Sequence, residues 1–325
     1  MVNIDCNFDY AYERQRLQAL GAELFLQRAG TEKEMLAAAA EADILLLENA
    51  DKPVTARVIA GLRRCRAIVK YGVGVDNIDI AAASALGIVV CNAADFCTEE
   101  VSDHAAGLLL AAARRITVMD RHVRAGGWFD FPQSGPIRRM NQLTLGLLGL
   151  GRIGRALAAK MAGFRMRIIA ADPYVKALPP EAGIELVAME RLFHESDLLS
   201  IHVPLTPGTR GLVGEAAFRA MKPTAFVVNT SRGGVIDEGA LIRALREKRI
   251  AGAALDVMAE EPLPAASPLR EFDHVILTPH SAASSADSKA QLRATVVDSV
   301  AAVLAGRWPP FPVNPGIRTR FEVPR

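Results

Sequence analysis

The chain has 325 residues, half of them hydrophobic, and a formal net charge of only +2. That length, roughly twice the usual ~150 residues of one domain, predicts about two domains with large buried cores. A charge so close to balance gives no support for a nucleic-acid or membrane-surface partner.

In chain order, short apolar runs alternate with helical stretches, the pattern of parallel βαβ units. Helices are predicted near Tyr10–Leu20, Glu32–Ala42 and Thr55–Leu62, and strands at Ala42–Leu47, Ala67–Tyr71 and Gly87–Cys91. Thr98-Glu99-Glu100 reads as the start of one apolar helix running from Val101 to about Arg124, with Thr98 as its cap and the acids at its positive end. Its segment Ala105–Ala113 suits either a core helix or a dimer interface. A loop follows over Gly126–Pro136, then strands at Leu143–Leu148, Met166–Ala171, Leu198–Val203, Ala225–Asn229, Gly252–Val257 and His274–Leu277, and a last helix over Ala286–Ala305. The four cysteines, Cys6, Cys65, Cys91 and Cys97, form no C-x-x-C pair and read as small apolar fillers in a reducing compartment. With acids at Asp5, Asp9 and Glu13 in place of a signal segment, and no charge-free apolar run of about 18 residues, the expectation is a soluble cytoplasmic protein.

The most informative motif begins near mid-chain. Gly149, Gly151 and Gly154 are spaced G-x-G-x-x-G between the strand Leu143–Leu148 and a helix predicted over Arg155–Phe164. Gly149 permits the tight turn, Gly151 lets a pyrophosphate approach the backbone, and Gly154 lets the helix pack close to the strand. The helix N-terminus offers N–H groups and partial positive charge to phosphates. Asp172, 18 residues past Gly154, ends the next strand. Its carboxylate suits the ribose hydroxyls of NAD and would repel the extra phosphate of NADP, so NAD is the expected cofactor.

Three later strand ends carry chemistry on what should be the ligand side of a parallel sheet. Arg232, flanked by Ser231 and Gly233-Gly234, can turn its guanidinium toward a carboxylate or carbonyl; an arginine in a surface turn is the plain alternative. Asp256 closes an apolar run and needs a partner, such as an arginine or a nicotinamide amide. His280 follows Thr278-Pro279, and Glu261 precedes Pro262. Together these residues suit the reduction of a 2-keto acid. Arg232 supplies fixed charge, and His280 an acid whose reference pKa of about 6.5 lies near neutrality. Glu261 would favour the imidazolium and orient the ring. The nicotinamide carries the hydride, so no metal is required.

These residues resemble the D-isomer-specific 2-hydroxyacid dehydrogenases. The resemblance runs through Tyr71-Gly72-Val73-Gly74-Val75-Asp76-Asn77-Ile78-Asp79, Cys91-Asn92-Ala93-Ala94, the glycine loop, His202-Val203-Pro204-Leu205-Thr206, Asn229–Gly234, Asp256–Pro262 and Thr278-Pro279-His280. It implies an α/β fold of two doubly wound parallel-sheet domains. A Rossmann NAD domain (99–284) would be inserted into a flavodoxin-like substrate domain (1–98 and 285–325), with the active site in the cleft between them. The resemblance makes Arg232, Glu261 and His280 the catalytic trio and Asp256 a nicotinamide contact. It places Arg152 and Ile153 at the pyrophosphate, Asp172 at the ribose, and Val203, Pro204 and Thr230 along the cofactor. The N–H groups around Val73 and Gly74 would seat the substrate carboxylate. Lys70 stands where several relatives have an arginine beside the substrate, against the plain reading of a solvated strand-edge lysine. A homodimer through the helical region 101–124 is also implied. Departures from the family pattern are Ser281-Ala282-Ala283 after the histidine, Arg139-Met140-Asn141-Gln142 before the dinucleotide strand, and Cys97 beside the substrate seat. The expected activity is hydride transfer between NAD(H) and a D-2-hydroxy acid of the phosphoglycerate, glyoxylate or hydroxypyruvate type. An NAD-sensing protein, like the corepressor branch that keeps the same trio, is the alternative.

Overall fold

The structure is a computed structural model that describes residues 1–4, 9–48, 53–128 and 137–321. Cys6 and most of the loop expected at Gly126–Pro136 lie outside the described residues. Two compact units are formed, one of Met1–Cys97 with Ser285–Arg325, the other of Thr98–Ser284. Among the described residues, no helix is long and apolar enough to cross a membrane.

The first unit contains β1 (Val2–Ile4), α1 (Ala11–Ala19), β2 (Phe25–Gln27), α2 (Glu32–Ala39), β3 (Ile44–Leu47), α3 (Ala56–Gly61), β4 (Ala67–Lys70), α4 (Ile80–Ala85) and β5 (Val89–Cys91). All five strands are parallel, in the order β2-β1-β3-β4-β5, the flavodoxin-like arrangement. β3, β4 and β5 are buried along their whole length. Continuous Ile-Leu-Leu-Leu or Val-Val runs are what a parallel sheet covered on both faces demands. Helix starts follow their side chains. Thr31 and Glu34 make a reciprocal capping box on α2, and Thr55 and Asp79 cap α3 and α4.

The second unit holds α5 (Thr98–Ala113), α6 (Ile116–Arg124), β6 (Thr144–Leu148), α7 (Arg152–Met161), β7 (Arg167–Ala171), β8 (Ile184–Leu186), α8 (Met189–Glu195), β9 (Leu198–Ile201), α9 (Glu215–Ala220), β10 (Phe226–Asn229), α10 (Glu238–Arg246), β11 (Gly252–Leu255) and β12 (Val275–Leu277). The last helix, α11 (Ala286–Leu304), belongs to the first unit. There Arg293 donates to both carboxylate oxygens of the fully buried Glu13, at 2.7 and 2.6 Å, tying α11 to α1. In the second unit seven parallel strands run β12-β11-β10-β9-β6-β7-β8. Numbered within the unit this is 3-2-1-4-5-6 with a seventh strand added, the Rossmann order, and the direction of winding reverses between β6 and β9.

Two expectations about the long helix are corrected. The stretch Val101–Arg124 is two helices, because Arg115 takes a left-handed backbone (φ 56°) and ends α5. Its guanidinium lies 4.4 Å from the centre of the Phe226 ring, a cation–π contact that holds the side chain beneath the sheet. Thr98 is the first helical residue and not the cap before it. The segment Ala105–Ala113 packs into the core with Leu157, Ala158 and Leu147, so its apolar character belongs to folding. The helix after the glycine loop also begins three residues earlier than expected, at Arg152.

Candidate active site

In the second unit the glycine loop, Asp172, Val203, Pro204, Thr230, Arg232, Asp256, Glu261 and His280 all follow the C-terminal ends of strands, those of β6, β7, β9, β10, β11 and β12. The glycine loop leaves β6 at the reversal point, where open parallel sheets bind ligands. Gly149 has φ 94°, and a Cβ there would lie 2.9 Å from the His202 carbonyl carbon and from Val203 Cγ1. Any larger residue would strain the backbone and strike the end of β9. A Cβ on Gly154 would sit 2.5 Å from the Gly149 carbonyl oxygen, so α7 seats closely against the loop. Around Gly151, by contrast, no described atom comes within 4 Å of an added Cβ. Gly151 also precedes α7 with no side-chain cap, leaving the first-turn N–H groups of α7 for an anion. The loop is closed by Asp172. Its Oδ2 accepts from Leu150 N at 2.8 Å and its Oδ1 from Tyr174 N at 2.8 Å.

His202, just past β9, lies under this loop. Its Nε2 is 2.8 Å from Ser200 Oγ, and burial pulls its pKa down to about 4, which keeps the ring neutral beside the expected phosphate site. In sequence it opens the motif His202-Val203-Pro204-Leu205-Thr206 but carries no role of its own there. Thr230, at the end of β10, is buried, and its hydroxyl oxygen has no hydrogen-bond partner among the described residues. A buried hydroxyl left unpaired costs free energy unless a ligand supplies the bond. Open space at Gly151, the uncapped start of α7 and the unpaired Thr230 hydroxyl fit a dinucleotide laid across the strand ends.

The three chemical residues come together in this unit. His280 Nδ1 is 2.6 Å from Glu261 Oε2, while Glu261 Oε1 accepts from Met258 N at 2.9 Å. Burial raises the Glu261 pKa, but the hydrogen bonds from His280 and Met258 and the positive charges of His280 and Arg232 outweigh it, leaving the carboxyl below its ordinary value. His280 itself has a left-handed backbone, φ 51°. Arg232 is half-buried, and its turn is built by the fully buried Asn229. Asn229 Oδ1 accepts from Ser231 N and Ser231 Oγ, and Asn229 Nδ2 donates to Arg232 O. The next residue brings the turn against the Glu261 loop: a Cβ on Gly233 would lie 1.8 Å from Met258 O. Asn229 and Gly233 are therefore scaffold residues of the trio, and the Asn-x-x-Arg-Gly spacing is the only trace they leave in the sequence.

Asp256 finds its partner within the chain. It is 1 % exposed, and its carboxylate accepts from Thr278 Oγ1 (2.5 Å), Ser281 N (3.0 Å) and Ala282 N (2.9 Å). No arginine or nicotinamide is needed to explain its burial. In the first unit, Lys70 is 3 % exposed on β4, an interior strand, and donates to Glu48 O at 2.7 Å. The solvated strand-edge reading is wrong. Val73 and Gly74 lie in the turn after β4, which Asn92 ties down by donating to Val73 O at 2.6 Å. A cavity of about 300 Å³ lined by Arg115, Asp197, Phe226 and His274 opens at the N-terminal ends of the strands, the opposite edge from this chemistry.

Comparison with known proteins agrees with this geometry. Residues 106–282 match the family model described as D-isomer specific 2-hydroxyacid dehydrogenase, NAD binding domain. The chain is 42% identical over 265 residues to a glyoxylate reductase of Korarchaeum cryptofilum, covering 81% of this chain and 80% of that protein. It is 41% identical over 282 residues to a D-3-phosphoglycerate dehydrogenase of Mycobacterium leprae, covering 86% of this chain but only 53% of the relative. It thus spans about half the length of that second enzyme. Among solved structures, the D-lactate dehydrogenase of Aquifex aeolicus complexed with NAD and lactic acid superposes with a TM-score of 0.83 at 26% identity, covering 94% of this chain and 95% of that one. The reversal-point glycine loop, the Glu261–His280 pair and these matches lead to one conclusion: the chain belongs to the D-isomer specific 2-hydroxyacid dehydrogenase family, with its NAD-binding domain at residues 106–282.

Proposed function

We propose that the protein is an NAD-dependent oxidoreductase moving hydride between NAD(H) and a small D-2-hydroxy or 2-keto acid, of the glyoxylate, hydroxypyruvate or phosphoglycerate type. The observation that carries this reading is the 2.6 Å contact between His280 Nδ1 and Glu261 Oε2. It leaves Nε2 of the ring as the nitrogen that gives a proton to the carbonyl oxygen in reduction and takes one from the hydroxyl in oxidation. The carboxylate at Nδ1 orients the ring. Arg232 draws the substrate carbonyl and carboxylate by its fixed charge. The N–H groups around Val73 and Gly74, with Lys70, are assigned to the substrate carboxylate.

The cofactor supplies the hydride and accepts it back. Gly149, Gly151, Arg152, Ile153 and Gly154 would hold its pyrophosphate, and Asp172 the adenosine ribose. Val203, Pro204 and Thr230 would line the remainder, and any bonding direction left on Asp256 would face the nicotinamide. The corepressor alternative has no observation in its favour. A reducing cytoplasm suits the free thiols of Cys65 and Cys91. A homodimer through 101–124 would cover the exposed Ile116 and Val123 of α6, and light scattering measures that mass directly.

The decisive assay is NADH oxidation with glyoxylate, hydroxypyruvate, pyruvate, 2-ketoglutarate and phosphohydroxypyruvate, for the parent protein and for His280→Ala and Arg232→Ala. General acid catalysis is typically worth ~10²–10⁴, so each variant should lose at least about a hundredfold in turnover while NADH binding stays nearly intact. Near-normal turnover in His280→Ala would remove His280 as the acid, and no turnover on any of these acids would remove the reading itself.

A further inference from the structure

α5 carries a histidine to which the proposed mechanism gives no role. His104 is partly buried, and its Nε2 lies 3.1 Å from Thr278 Oγ1 and 3.6 Å from Asp256 Oδ1. Thr278 donates its one hydroxyl hydrogen to Asp256 Oδ1 at 2.5 Å. With that hydrogen committed, Thr278 Oγ1 faces His104 as an acceptor, so Nε2 of His104 carries a hydrogen. The donors therefore run one way, from His104 to Thr278 to Asp256.

The far end of this chain is the turn that bears His280. Asp256 accepts from Ser281 N and Ala282 N through its carboxylate, and from His280 N through its backbone oxygen at 2.7 Å. His280 needs such a clamp, since a left-handed backbone is unfavourable for any residue with a Cβ. Asp256, buried at 1 % exposure, is held by donors alone. Removing one loosens the carboxylate and with it the three-residue turn, and small displacements of a proton donor are expensive in catalysis.

We propose that His104 is a positioning residue for hydride transfer, a hydrogen-bond donor on α5 that fixes Thr278 and Asp256 and through them the turn that aims His280. The inference rests on His280 being the acid. It requires a hydrogen at Nε2 and does not require a positive charge. Filling space alone would be met by leucine, whereas donation to Thr278 would be met by glutamine, whose amide reaches about as far as Nε2.

The test compares His104→Leu, His104→Gln, Thr278→Val and the double variant His104→Leu/Thr278→Val in the full chain. Two quantities are read: kcat and KM for NADH with the best 2-keto acid, and the ring resonances of His280 at fixed pH without substrate, assigned by their loss in His280→Ala. His104→Leu should lower kcat about tenfold, leave KM for NADH within about twofold and move the His280 resonances; a misplaced catalytic group commonly costs that much or more. His104→Gln should recover most of both. The double variant should be no worse than Thr278→Val alone, because both break one link. Parent-like kcat and resonances in His104→Leu, glutamine behaving as leucine does, or additive losses in the double variant each overturn the proposal. If the parent protein turned over no 2-keto acid, the functional reading would fail, and the resonances would still decide whether His104 sets the His280 turn.

Discussion

Acid should loosen the NAD-binding unit through His202, and the size of the effect follows from its burial. The ring lies beneath Gly149 and Gly154, where a Cβ on Gly154 would come 3.8 Å from its Cδ2. Burial holds its pKa near about 4, against 6.5 for an exposed histidine. Between those values the unfolded chain binds a proton that the folded one refuses. The unfolded state therefore gains as pH falls, so stability rises with pH across this window. Above pH 6.5 His202 costs nothing; the penalty grows from there and levels off below about pH 4. At 1.36 kcal/mol per pH unit the whole difference is about 3 kcal/mol. His202→Gln removes the titration and keeps an amide that can meet Ser200. The measurement is urea unfolding followed by circular dichroism for both proteins, from about pH 7 to about pH 4. Taking the difference between the two proteins cancels the other titrating groups, apart from those in contact with the ring. Relative to its own value at neutrality, the variant should gain on the parent by about 3 kcal/mol at the acid end. Parallel curves, with a constant difference at every pH, would refute the argument and mean that His202 takes up its proton in the folded state.

Three substitutions test the strand ends. Asp172→Ala should weaken the preference for NADH over NADPH. It should also cost about 1–2 kcal/mol in urea unfolding, because Leu150 N and Tyr174 N lose their acceptor; an unchanged cofactor ratio would take Asp172 out of the selectivity argument. Gly233→Ala forces a methyl to 1.8 Å from Met258 O, so the Arg232 turn must leave the Glu261 loop. The expected result is loss of turnover with at least about 3 kcal/mol of destabilisation, and a folded, active Gly233→Ala would show that the two loops can move apart. Thr230→Val replaces an unpaired buried hydroxyl by a methyl and should raise apo stability by about 1 kcal/mol while weakening NADH binding. Calorimetry measures the affinity, and binding as tight as the parent's would mean that the cofactor makes no bond to Thr230.

Much of this fold is written in local signals. Runs such as Ile44–Leu47 and Val89–Cys91 are apolar enough to announce buried parallel strands, and the glycine spacing announces the turn after β6. Helices α4, α8, α9 and α10 were not anticipated, and the strands that escaped are short and poorly patterned. β1, β2 and β8 have three residues each, too few for a periodicity, and they are strands because neighbouring strands pair with them. The break at Arg115 escaped for another reason. Arginine favours helix locally, and the left-handed turn is enforced by contacts under the sheet that no window of sequence contains. At the site, residue types were visible but their company was not. Arg232, Glu261 and His280 could be named singly, while the contact of Gly233 with Met258, the clamp at Asp256 and the neutral His202 exist only once distant strand ends are side by side.

The two aspartates that end β7 and β11 show what separates a ligand-binding acid from a scaffold acid. In sequence they look alike, each closing an apolar run where a carboxylate needs a partner. Both then accept backbone N–H groups from a nearby turn. Asp172, however, stays partly exposed and is bonded on each oxygen once, which leaves lone pairs for ribose hydroxyls. Asp256 is sealed at 1 % exposure and carries a threonine hydroxyl in addition, so nearly all its bonding capacity is spent on the turn that holds His280. The same replacement at the two positions should therefore have different consequences. At Asp172 the loss falls first on cofactor affinity and selectivity. At Asp256 it falls on kcat, through the aim of a histidine the carboxylate never touches with its own oxygens.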